Sequence, residues 1–319
     1  MSPAAIPALE YAFDFDPGDR FLAIVNPAAG GGRCGRLASK VFEGMRAACI
    51  EVHVVETRSP GHATWIARKA YMQGWRRFLA VGGDGTSFEI VNGVFPEALT
   101  RGRVALAFLP LGTGNSFLRD FVPPRTNQVE HALEAIGAGR TRACDVLKLT
   151  HAEGTLYFIN LLNMGFAADV AALVNRRFKG LGELGYLLGV MVRLVPLRRR
   201  AFPVRLDADA ELDRRRCLFL SFNNSKFTGG KMMIAPLAET SSGKVEYVRW
   251  GPIGRLGLVR MLPRLYDGTH IEHPLAERRA ARHVEFELDG PVDVMVDGEV
   301  MTVECRRIEV LPGAMDVMV

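Results

Sequence analysis

Four short apolar runs, each followed by a helical pattern, fill the stretch from Phe21 to Ala135, and three of them end in glycine-rich loops. Phe21–Val25, Val52–Glu56, Phe78–Val81 and Val104–Leu109 read as buried strands. Leu37–Ala48, Ala63–Met72, Phe88–Phe95 and Val129–Ala135 read as helices. Such alternation leaves little choice but right-handed β-α-β crossovers, hence a parallel, Rossmann-like sheet covered on both faces. Ligands of these sheets sit beyond the carboxyl ends of the strands, where the three loops fall.

After about residue 142 the pattern changes. Asp145–Thr150, Tyr157–Leu162, Val204–Leu206, Leu218–Phe222, Val245–Trp250, Val284–Leu288 and Val292–Val296 have strand character, with helical patterns at Ala167–Phe178, Glu183–Val195 and Ile253–Tyr266. This predicts a mostly antiparallel β domain with inserted helices. The expected division is 1–140 and 141–319, with a final strand able to return to the first domain.

The first loop, Gly30-Gly31-Gly32-Arg33-Cys34-Gly35, satisfies G-x-G-x-x-G, and Glu56 ends the next strand. A dinucleotide fingerprint needs its first glycine just off the strand. Here Asn26-Pro27-Ala28-Ala29 intervene. A P-loop needs Lys-Ser/Thr where Arg36-Leu37 stand. Phosphate held by backbone N–H groups and an ordinary loop are both open readings.

Gly82-Gly83-Asp84-Gly85-Thr86 is more specific, because its glycines admit a ligand close to the backbone beside one carboxylate and one hydroxyl. That suits a Mg²⁺-bound triphosphate. A tight turn before a helix, with Thr86 as N-cap and Glu89 as its capping-box partner, explains the same residues. The third loop is Pro110-Leu111-Gly112-Thr113-Gly114-Asn115-Ser116. Three such loops on one rim argue jointly for a nucleotide site. Late in the chain, Val292, Val294 and Val296 alternate into Asp297-Gly298, the pattern of a hairpin turn that displays a carboxylate.

Forty basic against 35 acidic residues give a net charge of +5, suited to an anionic partner such as a nucleotide or acidic membrane surface. No nucleic-acid-binding module accompanies it. Five cysteines without a C-x-x-C pair read as reduced thiols of a reducing compartment. His270 and His273 lack a third ligand nearby and read as ordinary polar or core residues, not a metal pair. Met1–Arg20 lacks the pattern of a signal peptide, and no charge-free run reaches the roughly 18 apolar residues that span a bilayer.

Together these residues resemble the diacylglycerol kinase and sphingosine kinase family of lipid kinases. The resemblance rests on Asn26 to Gly32, Glu56-Thr57, Gly82 to Thr86 with Glu89 and Asn92-Gly93, and Leu111 to Asn115. Asn163 to Phe166, Gly229 to Met232 and Asp297-Gly298-Glu299 continue it to the C-terminus. It implies an α/β ATP-binding domain joined to a β-sandwich lipid-acceptor domain, with ATP and Mg²⁺ as cofactors and a lipid hydroxyl as acceptor. By position it puts Asn26, Pro27, Gly30, Gly31, Gly32, Thr57, Gly82, Gly83, Asp84, Gly85, Thr86, Glu89, Gly112, Thr113 and Asn115 around ATP. Asp84 would stand near the ATP-bound Mg²⁺ or act as base, and Asp297 or Glu299 would take the proton of the acceptor.

Ala29 replaces a frequent serine of the family, and Phe88 a smaller residue. Ser241-Ser242-Gly243-Lys244 stands where an Asp-Gly-Leu segment can hold a structural Mg²⁺, so a site near Ser242 is expected to be weak or absent. A cytoplasmic protein, peripheral to the inner face of the membrane, is expected. Leu181–Leu197, followed by Arg198–Arg200, suits an interfacial helix or one packed on the β domain. The rival functions are a kinase of a soluble acceptor of the NAD kinase kind, an NAD(P)-binding oxidoreductase, and a non-catalytic nucleotide-binding regulator.

Overall fold

The computed structural model of the chain describes residues 18–178 and 182–319. The signal-peptide reading over residues 1–17 and the place of Leu181 lie outside the described residues. The first half runs β1 (Phe21–Val25), α1 (Arg33–Ala47), β2 (Val52–Glu56), α2 (His62–Met72), β3 (Arg77–Gly82), α3 (Asp84–Val94), β4 (Ala105–Pro110), α4 (Ser116–Arg119) and α5 (Gln128–Gly137). Strands β2, β1, β3 and β4 lie side by side in that order, all parallel.

The period of two along each strand divides its side chains between two cores. Leu22, Ile24, Phe78, Ala80, Leu106 and Phe108 face α2 and α3, against Ile66, Ala70, Ile90 and Val94. Ala23, Leu79, Val81, Ala107 and Leu109 face α1 and α5, against Phe42, Met45 and Ile136. Strands buried on both faces must be apolar throughout, as β1, β3 and β4 nearly are.

The second half begins with β5 (Thr141–His151), β6 (Gly154–Phe158), β7 (Leu161–Gly165), α6 (Phe166–Arg177) and α7 (Gly182–Leu194). A six-stranded antiparallel sheet contains β7 and the strands Phe219–Asn223, Val245–Trp250, Ala276–Ala281, Val292–Val296 and Glu299–Val303. One face packs on β5 and β6 through Leu147, Phe158, Leu162, Phe222, Tyr247 and Val294, which makes a sandwich. Its other face is covered by α6, α7 and the short helix Arg255–Met261.

The strand Cys305–Met318 joins the halves. It pairs antiparallel with β5 along its whole length, while on its other edge its first part pairs antiparallel with His283–Phe286 and its end pairs parallel with β4. A register break against β5 between Leu311 and Met315, around Pro312-Gly313, separates the part beside His283–Phe286 from the part beside β4. Asn92 of α3 makes a second seam: its amide donates to the carbonyls of Phe88 and Tyr157 and accepts the Tyr157 N–H.

Two predicted elements differ. Tyr157–Leu162 is not one strand but the end of β6, a break at Ile159-Asn160, and the start of β7. The amides of Ile159, Asn160 and Leu161 donate to the Asp297 carboxylate and so leave the ladder. Ile253–Tyr266 is not one helix but Arg255–Met261 and Arg264–Asp267, divided at Pro263, which has no N–H for a continuous helix.

Candidate active site

The strand-end loops touch one another because glycines let them. Gly30, Gly31 and Gly32 all have positive φ (62°, 66° and 84°), a left-handed run that wraps the backbone against the third loop. A Cβ on Gly30 would stand 2.9 Å from the Leu111 carbonyl oxygen. The Gly112 N–H donates to the Gly82 carbonyl at 2.7 Å, and a Cβ on Gly112 would lie 2.6 Å from Gly83 Cα. Asn26 fixes the first loop, its side chain accepting the Ala28 N–H while its own N–H donates to Val81.

These loops form one end of a cleft of about 730 Å³. Asn26, Pro27, Gly30, Gly31, Thr57, Gly83, Asp84, Gly85, Thr86, Glu89, Gly112 and Thr113 line it, as do Asp297 and Glu299. Gly32, Gly82 and Asn115 lie off its wall. Gly32 is the N-cap of α1. Gly82 lies under Thr86, whose hydroxyl a Cβ would strike. Asn115, buried with φ 51°, donates from its amide to the Pro110 and Gly112 carbonyls and so holds the third loop from behind.

Four carboxylates meet the cleft in different settings. Asp84 opens α3 and accepts the N–H groups of Ser116 at 2.9 Å and Phe117 at 3.4 Å, at the start of α4. Burial pushes its carboxyl up, against the pull of those N–H groups. Asp297 is buried at φ 48° and accepts three backbone N–H groups, from Ile159, Asn160 and Leu161, at 2.9–3.0 Å. Burial raises it to about 7 despite them, and the charge of Asp84 adds to the rise. Glu299, two residues on, is exposed and lies over Gly85, whose missing Cβ leaves it room. Glu89 accepts the N–H groups of Gly61 and Ala63, both at 2.9 Å.

The capping reading of the second loop is therefore corrected. Thr86 lies inside α3, the N-cap is Gly83, and no side chain caps it. Glu89 instead caps the neighbouring α2, because Gly61 precedes α2 with bare amides at its first turn.

The second half lines the other end of the cleft mostly with apolar residues, Leu161, Ala171, Val174, Tyr186 and Met295, interrupted by Asn160, Asn175 and Thr228. Arg58 also lines the cleft, directly after Thr57, and sequence reading missed this cation. Its signal was there, since Arg58 follows a strand end on the same rim as the glycine loops. Tyr186 and Val174 were not legible, because helical spacing alone does not say which face of a helix meets a cleft.

The Ser241–Lys244 loop lies apart from the cleft wall. Gly243 donates to the Asp145 carboxylate at 2.6 Å, and Gly313 donates to its other oxygen at 2.7 Å. Among the described residues, no three His, Cys, Asp or Glu side chains gather to hold a metal ion by themselves. Likewise no helix among them is long and apolar enough to cross a membrane.

Comparison with known proteins agrees with this geometry. Residues 20–149 match the diacylglycerol kinase catalytic domain, and residues 160–319 match the YegS C-terminal NAD kinase beta sandwich-like domain. A Mycobacterium tuberculosis protein named diacylglycerol kinase is 25% identical over 297 residues, covering 93% of this chain and 94% of the relative. A Pseudomonas aeruginosa protein named "Probable lipid kinase YegS-like" is 30% identical over 275 residues, covering 85% and 86%. In fold, a solved Bacillus anthracis structure described as a diacylglycerol kinase superposes with a TM-score of 0.69 at 21% identity, over 94% of this chain and 96% of the other. A catalytic-domain match on the loop-bearing half and a sandwich match on the half that carries Asp297 and Glu299 leave one assignment: the chain belongs to the diacylglycerol kinase and YegS-like family of lipid kinases.

Proposed function

We propose that the chain transfers the γ-phosphate of ATP to the hydroxyl of a lipid such as diacylglycerol, a sphingoid base, ceramide or phosphatidylglycerol. It would work from the cytoplasm at the periphery of a membrane. One observation carries the reading: a single cleft has side-chain-free glycine loops at one end, carboxylates in the middle and an apolar wall at the other end. Phosphates need close backbone N–H groups, transferred protons need a carboxylate, and acyl chains need apolar walls.

The residues fit the nucleotide. Gly30, Gly83 and Gly112 keep the floor free of side chains, and Arg58 adds positive charge at the rim. They also fit Mg²⁺ carried by that nucleotide, an ion held mainly by substrate phosphates and one or two carboxylates. Asp84 would be such a carboxylate here, directly or through water, and the bound ion would neutralise charge on the phosphates.

Glu299 is our candidate for the proton acceptor. Both line the cleft, but Asp297 already accepts three N–H groups and is 2% exposed, whereas Glu299 is exposed. Asp297 then holds the hairpin that presents Glu299. Asp84 ties α3 to the third loop and faces the metal-bearing phosphates.

The test is incubation of purified protein with labelled ATP and Mg²⁺ against diacylglycerol, sphingosine, ceramide, phosphatidylglycerol and NAD. Label in the organic extract is expected. Label on NAD alone, or on nothing, would overturn the proposal.

A further inference from the structure

Helix α7 is apolar on its outward face. Leu184, Leu187, Leu188, Met191, Val192 and Val195 form one exposed row along and just beyond it, with Leu184 58% and Val195 75% exposed. Gly185 and Gly189 face inward, and a Cβ on Gly189 would stand 2.7 Å from a Val174 methyl of α6. Val190, Tyr186 and Leu194 pack inward as well, but six large apolar side chains point away from the protein, where an ordinary surface helix is polar. Nothing else in the described chain covers them, and contiguous apolar surface of this kind marks a binding face.

The patch continues onto a neighbouring helix. Arg255, the first residue of Arg255–Met261, donates to the carbonyls of Leu194 at 3.0 Å and Val195 at 2.9 Å, which satisfies the C-terminal end of α7. Leu256 beside it is 75% exposed. A depression of about 490 Å³ between the two helices is lined by Leu197, Arg199, Arg216, Arg255 and Leu256. Arg198 and Arg260 are exposed as well. From Leu184 to Arg200 there is no acidic residue. An apolar row edged by charge of a single sign complements an anionic lipid surface, which offers apolar chains beneath negative headgroups.

We propose that α7 and the start of Arg255–Met261 dock on the surface of an anionic bilayer. The apolar row enters the boundary between headgroups and acyl chains, and the arginines contact the headgroups. Tyr186, on the inner side of the same helix, lines the apolar end of the cleft with Val174. Docking therefore brings that end beside the leaflet. Only this use of the surface rests on the lipid-kinase reading; the docking itself does not.

The test is co-sedimentation of the full chain with phosphatidylcholine vesicles, with and without phosphatidylglycerol. Binding to the anionic vesicles alone, weakening as salt rises, is expected. Leu187→Glu with Met191→Glu should weaken it more than about tenfold, and Arg198→Glu about fivefold or more. Melting temperature and ATP binding should stay unchanged in both variants. Wild-type protein that ignores anionic vesicles, or a double variant that binds like wild type, overturns the proposal. So does a wild-type dimer that the double variant converts to monomer, which would assign the face to a second copy. Lipid labelling in detergent micelles is measured in parallel. Its absence beside intact vesicle binding overturns the kinase reading and not the docking.

Discussion

Gly112 rests against Gly83 so closely that its N–H reaches the Gly82 carbonyl at 2.7 Å and a Cβ would stand 2.6 Å from Gly83 Cα. The obstacle is backbone, so no rotamer relieves it. Gly112→Ala should cost about 1–3 kcal/mol of stability and weaken ATP binding, because two phosphate loops are pushed apart. Thermal melting and a nucleotide titration check this. An unaltered ATP affinity would contradict the glycine floor.

Glu299→Gln and Asp297→Asn should fail in different ways. The first keeps the fold and lowers kcat by roughly 10²–10⁴-fold, the range of a lost general base, with little change in KM for ATP. The second leaves three N–H groups facing an amide with one oxygen, and should lower stability by about 1–3 kcal/mol. If Asp297→Asn melts like wild type while Glu299→Gln turns over normally, the two roles are assigned the wrong way round.

The strands and glycine loops were readable because local signals carry them: apolar runs, helical spacing and glycines at strand ends. The setting of Asp297 was not. Its partners Ile159, Asn160 and Leu161 lie more than 130 residues away in sequence, and nothing at either end marks the pairing. Its hairpin was visible, but its direction was not. Glu89 was misread for a related reason, since Glu three residues after Thr is a good local capping box and only the fold brings the open start of α2 closer.

Glu89→Ala should therefore act at a distance. It uncaps α2 and should cost about 1–2 kcal/mol. It also frees the Thr57–Pro60 segment on the cleft wall, so KM for ATP should rise. Chemical denaturation and steady-state kinetics give both quantities; a change in stability with unchanged KM would separate the cap from the site.

His270 supplies a pH dependence. Its ring is buried, and Nε2 lies 3.0 Å from the Ile234 carbonyl. Burial lowers its pKa below the ordinary 6.5. The unfolded chain then binds the proton more readily, so stability falls as pH drops below about 6.5. The loss should grow as the pH falls further below that point. His270→Gln should show less of this dependence in urea midpoints measured at about pH 7.5 and about pH 5.5.

The strand Cys305–Met318 crosses from the sandwich to β4. Cutting the chain near residue 140 would therefore not liberate a nucleotide module. It would strip β4 of its outer neighbour and bare a long apolar edge, an invitation to aggregate. During synthesis the early sheet must wait, unfinished, for residues made more than 150 positions later. The two halves are thus one cooperative object, and a lesion in the last strand should be felt at the glycine loops it never touches.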